Sequence, residues 1–253
     1  MNIRGDYHIH TRVSDGHGSV ADKYACAAAR GIAEIAIADH GFGSFAFHQT
    51  ARKFARQRED VERANAGGSV RVYQSIEANI VDDEGTLDVS GEVIARCDIL
   101  HMGFHRFLAP RYVVRDAAYV LVNGWAACGA REDKVRREKN TRAYIAAMER
   151  YPVDVLCHLN HRAVTDAARV CAVAAELGVY VELNEKHIET LEGDIDEILA
   201  TGVKFILGSD AHRTDKVGLF PRVSDFVKKH GIPEDRICGV GAEPVFRDKR
   251  RTE

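Results

Sequence analysis

Of twelve histidines in 253 residues, six stand at the end of a short apolar run, beside or near an acid or a glycine. Asp6-Tyr7-His8-Ile9-His10-Thr11 comes first. Ala38-Asp39-His40-Gly41, Ser75-Ile76-Glu77-Ala78-Asn79, Gly103-Phe104-His105, Leu156-Cys157-His158 and Gly208-Ser209-Asp210-Ala211-His212 follow. Neutral imidazole suits Zn²⁺, Mn²⁺ and Fe²⁺, and carboxylates add negative charge and can bridge two ions. A donor set dominated by histidine argues against an all-oxygen Mg²⁺ or Ca²⁺ site. Clustered dications can share a hydroxide and stabilise the attacking and leaving oxygens of a phosphoryl transfer.

Something must bring these distant residues together. The apolar runs at residues 4–8, 34–38, 70–76, 98–102, 153–157, 179–183 and 204–207 read as seven strands. Helical patterns fall at 19–30, 47–66, 166–177, 194–200 and 223–230, and a helix-rich insert spans 113–150. Ser19 is an expected N-cap and Gly31 an expected stop. Strands alternating with helices predict a parallel α/β sheet with right-handed crossovers. Seven such units without a long linker favour a TIM-like barrel in one domain over residues 1–253. In such a barrel the reactive groups project from the C-terminal strand ends. His8 and His10, and Asp210 and His212, are each two residues apart, so each pair faces one way on extended backbone.

Composition narrows the function classes. The formal charge is −3, with no basic stripe, which argues against long nucleic acid as a partner. The basic run 247–251 reads as a solvated tail. Six scattered cysteines contain no C-x-x-C pair, so a zinc ribbon is not expected, and a reducing cytoplasm is. No signal peptide and no membrane-spanning run is visible.

The residues His8-Ile9-His10-Thr11 with Ser14-Asp15-Gly16, Asp39-His40-Gly41, Glu77, His158 and Ser209-Asp210-Ala211-His212 together resemble the PHP (polymerase and histidinol phosphatase) superfamily. The resemblance covers nearly the whole chain and is greatest to stand-alone phosphatase-type members. It implies a distorted seven-stranded (β/α)7 barrel holding up to three divalent ions, Zn, Mn or Fe. One ion would use His8, His10, Glu77 and Asp210. A second would share Glu77 and add His105 and His158. A third would use His40, His212 and a residue of the first loop, Asp15 in preference to His17. His101, inside a strand, is expected to be structural. His161 is a candidate substrate contact rather than a metal ligand, His187 is expected near the rim, and His48 and His230 are expected on the surface.

The leading reading is a phosphatase acting on a small phosphomonoester by attack of a metal-bridging hydroxide, with Asp210 or His212 handling the leaving-group proton. Arg106, Arg162, Lys186 and Arg213 are candidates to hold phosphate, since arginine grips it bidentately and lysine acts as a point charge. Phe42, Phe45, Phe47, Phe104 and Phe107 are candidates to wall the cavity mouth. The alternatives are a nucleotide phosphodiesterase or 3′–5′ exonuclease, and a non-catalytic metal-binding module.

Overall fold

The computed structural model describes residues 1–249 except 45–46, 48, 106–107, 109–118, 120, 122 and 124–132. Arg106, His48, Phe45, Phe107 and much of the first part of the expected insert, up to residue 132, therefore lie outside the described residues. The strands are β1 (Gly5–Ile9), β2 (Glu34–His40), β3 (Arg71–Asn79), β4 (Ile99–Gly103), β5 (Val155–Leu156), β6 (Tyr180–Asn184), β7 (Phe205–Gly208) and β8 (Ile237–Cys238). They form one parallel sheet in sequence order. The principal described helices are α1 (Val20–Ala29), α2 (Ala51–Ala66), α3 (Gly91–Ile94), α4 (Lys134–Arg150), α5 (Ala167–Leu177), α6 (Ile195–Ala200) and α7 (Pro221–His230).

The expected TIM-like architecture is present, with eight strands rather than seven. The eighth is two residues long, too short to show a periodicity in sequence. It closes the lower part of the barrel, because Arg4 and Gly5 donate their N–H groups to the Gly239 carbonyl. The upper part closes without it, as Ile9 bridges Ala211.

Local chemistry sets the helix ends. Ser19 and Asp22 form a reciprocal capping box on α1, satisfying backbone donors left free at a helix start. Thr50 caps α2, so that helix begins later than the apolar pattern implied. Gly178 ends α5 in the left-handed region, φ 71°, where a side chain would be strained.

One irregularity in β1 matters for the site. Its register with β2 slips between Asp6 and Ile9. Tyr7 packs with Ala36, Ile99, Val155, Tyr180, Ile206 and Cys238 near the barrel floor, with Tyr73 and Phe246 against them. His8 and His10 nevertheless point into the upper barrel. A bulge lets neighbouring residues share a face that strict alternation would divide.

The expected solvated tail is corrected at residues 247–249. Arg247 donates from its guanidinium to the carbonyls of Met148, Tyr151 and Val153, and from its backbone N–H to Asp154. Lys249 is buried, with Nζ 2.5 Å from Asp154 Oδ2. The charges in this run are used inside the fold, and a charge pattern alone does not reveal a buried partner. Among the described residues, no helix is long and apolar enough to cross a membrane.

Candidate metal centre

The strand register lifts His40 level with Glu77, and Glu77 level with His101. The strand ends then carry three neighbouring donor groups into one cavity of about 220 Å³. In the first group, His8 Nε2 stands 3.1 Å from His10 Nε2 and 3.5 Å from Glu77 Oε2, while His10 Nε2 stands 3.3 Å from Asp210 Oδ1. In the second, Glu77 Oε1 lies 2.9 Å from His158 Nε2 and 3.1 Å from His105 Nε2, and those two nitrogens are 3.1 Å apart. In the third, Asp15 lies 3.0 Å from His212 Nε2, 3.5 Å from His40 Nε2 and 3.7 Å from His10 Nδ1. Nitrogens bound to one Zn²⁺ at about 2.0–2.1 Å from it sit roughly this far from each other.

The donor atoms carry the fit further. A carboxylate accepts from His8 Nδ1 (Glu182, 2.7 Å), and the Asn79 amide oxygen accepts from His105 Nδ1 (2.7 Å). When these rings are neutral, as a metal ligand must be, those two bonds place the proton on Nδ1 and leave the lone pair on Nε2. Glu77 Oε2 is buried and lacks a hydrogen bond, although His40 Nδ1 is 2.9 Å away. With the rings neutral, lone pairs face one another around an unsatisfied carboxylate oxygen, an arrangement that suits a cation. His8, His10, Glu77, Asp210, His105, His158, Asp15, His40 and His212 could hold such ions in the three groups described.

Electrostatics in the metal-free state agree. Burial opposes ionisation of Glu77, but the imidazoles of His105, His8 and His40 hold its carboxyl well below the usual range. Burial also opposes ionisation of Asp210, and hydrogen bonds from His10 and His212 outweigh it. Burial, then the neighbouring His40, pushes His10 down to about 3. Burial works the same way on His40 and His212, yet Glu77 and Asp15 raise His40 to about 10, and Asp15 and Asp210 raise His212 to about 9.

The remaining expected residues separate clearly. His17 is exposed, so Asp15 rather than His17 occupies the first-loop position beside His212. Arg162 and Lys186 line the cavity, and Lys186 Nζ is 3.0 Å from Asp210 Oδ1 and 2.7 Å from His212 Nδ1. Arg213 does not line it; its guanidinium pairs with Asp215 at 2.9 Å in solvent. His101 is buried against Ser75, 2.5 Å away, beneath the donor groups. His161 and His187 stack at the rim with ring centroids 3.9 Å apart. His230, the last residue of α7, is largely covered rather than on the surface, with Nε2 3.2 Å from Glu192 Oε1. Phe47 stacks on His40 at 4.0 Å and lines the cavity, whereas Phe104 is core.

Sequence reasoning missed an outer set of buried acids. Asp39 accepts from Thr11, Ser14 and Gln57, anchoring the loop that presents Asp15. Asp88 accepts from the backbone and amide of Asn79, the partner of His105. Asp6 accepts from the backbones of Ser209 and Gly218, bracing the loop that carries Asp210. Glu182 holds His8. The available signal for Glu182 was its alternation with Asn184 on an otherwise apolar strand. Asp88, in an irregular segment, offered none. Among the described residues, the non-glycine residues with positive φ are His158, Asn160, Arg162 and Asp210, all in the loops after β5 and β7. Strained backbone of this kind clusters at functional sites.

Known proteins share this chain's sequence pattern and shape. The PHP domain profile matches residues 6–222. A probable phosphatase of Acetivibrio thermocellus is 27% identical over 258 residues, covering 96% of this chain and 93% of its own. One from Edwardsiella ictaluri is 29% identical over 252 residues, covering 95% and 91%. Among solved structures, histidinol phosphate phosphatase from Lactococcus lactis, complexed with zinc, L-histidinol and phosphate, is similar in fold. Its TM-score is 0.61 at 16% identity, covering 91% of this chain and 94% of that one. With its profile matched from β1 into α7, this chain belongs to the PHP domain family.

Proposed function

We propose that this protein is a metal-dependent phosphatase that hydrolyses a small phosphomonoester, with residues 1–253 forming one catalytic unit. The observation that carries the reading is Glu77. Its two oxygens face different imidazole groups, His105 with His158 on one side and His8 with His10 on the other. A bridging carboxylate between two histidine clusters is the arrangement expected for phosphoryl transfer to water. The names of the curated relatives, probable phosphatases, point the same way.

Divalent ions of the Zn, Mn or Fe type, up to three, would supply Lewis acidity and lower the pKa of a water molecule when bound. The chain does the rest. Lys186 and Arg162 flank the donor groups and hold the phosphate oxygens. Asp210, kept ionised, takes the proton of the attacking water. His212, beside Asp210 and Lys186, manages the proton that the leaving alcohol needs. The described cysteines are all free, in keeping with a cytoplasmic setting.

The test is turnover of a panel of phosphomonoesters by purified protein loaded with Mn²⁺ or Zn²⁺. Release of inorganic phosphate from at least one small ester is the expected result. No turnover at any ester, with metal shown to be bound, would overturn the reading. Release of mononucleotides from a labelled oligonucleotide would replace it with a nuclease.

A further inference from the structure

The carboxylate of Glu182 touches two parts of the centre that lie far apart in sequence. Oε1 accepts from His8 Nδ1 at 2.7 Å, and Oε2 accepts from the backbone N–H of His158 at 2.8 Å. His8 belongs to the donor group with His10 and Asp210, and His158 to the one with His105. His158 has φ 29°, a conformation that needs support from its surroundings. Glu182 is 1% exposed. The fold also clears space for it. A Cβ at Gly208 would collide with Glu182 Oε1, and Gly208 is placed next to Asn184 in the β6–β7 register.

We propose that Glu182 is a positioning residue that couples the two ion sites sharing Glu77. Through one rigid side chain it fixes the tautomer and tilt of the His8 ring and the strained turn that aims His158. Loss of either hydrogen bond then disturbs both donor groups. Glutamine cannot replace it, because its amide offers one acceptor atom and one N–H₂ donor to two facing N–H donors. Hydrogen-bond partners behind a metal ligand commonly change affinity by about 10–100-fold.

The inference rests on the metal-centre reading and on no substrate. The experiment titrates the metal-free full chain with Mn²⁺, reading free Mn²⁺ by electron paramagnetic resonance and thermal stability with and without metal. Glu182→Gln should weaken Mn²⁺ binding by at least about tenfold. It should reduce the metal-induced rise in Tm more than it lowers the metal-free Tm, whereas a purely structural role would lower both together. Glu182→Asp, which keeps the charge but is one methylene too short to reach both donors, should weaken binding in the same direction and covers the case in which Glu182→Gln fails to fold. In the native protein, ¹⁵N-histidine spectra should show an exchange-protected Nδ1–H that shifts on adding Zn²⁺. Binding by both variants within twofold of the parent, or no protected Nδ1–H, would overturn the coupling alone. A parent chain that binds no Mn²⁺ would overturn the metal reading with it.

Discussion

The two ends of the barrel bury charge in opposite ways. At the floor, Asp154 meets Lys249 Nζ and the backbone N–H groups of Leu100 and Arg247, so each carboxylate oxygen has a donor. Around it, Tyr7, Tyr73, Tyr180 and Phe246 pack edge to face or tilted, with centroids 5.4–6.5 Å apart. At the rim, Glu77 is equally buried, but its neighbours are imidazole nitrogens and one oxygen lacks a hydrogen bond. The floor satisfies its charge internally and serves stability. The rim leaves its charge waiting for an external cation, and the cost of that incompleteness is borne by packing elsewhere. In barrels of this kind the same division separates the stabilising face from the reactive one.

The sharpest way to break this comparison is to neutralise Glu77. Glu77→Gln keeps the volume but removes the shared anion. Turnover should fall by about 10³-fold or more, since several kcal/mol of transition-state stabilisation goes with the ions. Metal-free stability should change by less than about 1 kcal/mol, because the amide can still donate to a neighbouring ring nitrogen. Steady-state kinetics and thermal melts of metal-free protein check both halves. A variant that loses stability but keeps turnover would place Glu77 with the floor residues.

The reciprocal change is Asp154→Ala. It strands a buried ammonium and two backbone donors, so stability should drop by about 3 kcal/mol. Turnover per folded molecule, measured below the shifted Tm, should stay within twofold of the parent. A large fall in turnover at full folding would mean that the two ends are not separable.

Chelation links the comparison to pH. A metal at several times its Kd adds stability by mass action, about 2.7 kcal/mol at a hundredfold excess. Without metal, His40 and His212 are raised to about 10 and about 9, so both rings are charged at pH 8. A ring must be neutral to donate to a cation, so loading releases protons. Metal affinity, and the Tm lost on adding chelator, should therefore fall as pH is lowered from 8 to 6. Calorimetry in buffers of different ionisation enthalpy should detect the released protons. Proton uptake on loading would contradict the assignment of His40 and His212 as donors.

How much of this was legible in the sequence follows from the same division. The strand ends that carry the candidate donors stood out because histidine and acid at the close of an apolar run have few structural explanations. Their grouping depends on register, and the β1 slip that turns both Tyr7 and His8 inward has no sequence signature. The buried acids Asp6, Asp39 and Asp88 were illegible for another reason, whereas Glu182 showed only its alternation with Asn184. A lone Asp reads as a turn or a solvated charge until its donors are known, and those donors come from residues up to 212 positions away. The tail failed similarly: Lys249 and Arg247 look solvated until Asp154, the residue just before β5, is seen beneath them.

The smallest expected effects lie at the corner proposed to hold phosphate, and they divide the rim itself. Lys186 lies beside Asp210 and His212 and is held there by its loop, since Asn184 Oδ1 accepts from the backbone N–H groups of Lys186 and His187. Lys186→Ala should raise KM about tenfold, roughly 1.4 kcal/mol, through loss of one charge-assisted bond to phosphate. Arg213 carries the same charge three positions after Asp210, yet its side chain is 69% exposed and turned to Asp215. Arg213→Ala should leave kcat and KM within twofold. Equal effects from the two would mean that the cavity draws its anion by diffuse positive field rather than by a placed cation, and raising ionic strength would then weaken both alike. A KM loss confined to Lys186 and insensitive to salt would instead assign the anion contact to one ammonium, set by the Asn184 loop rather than by charge count.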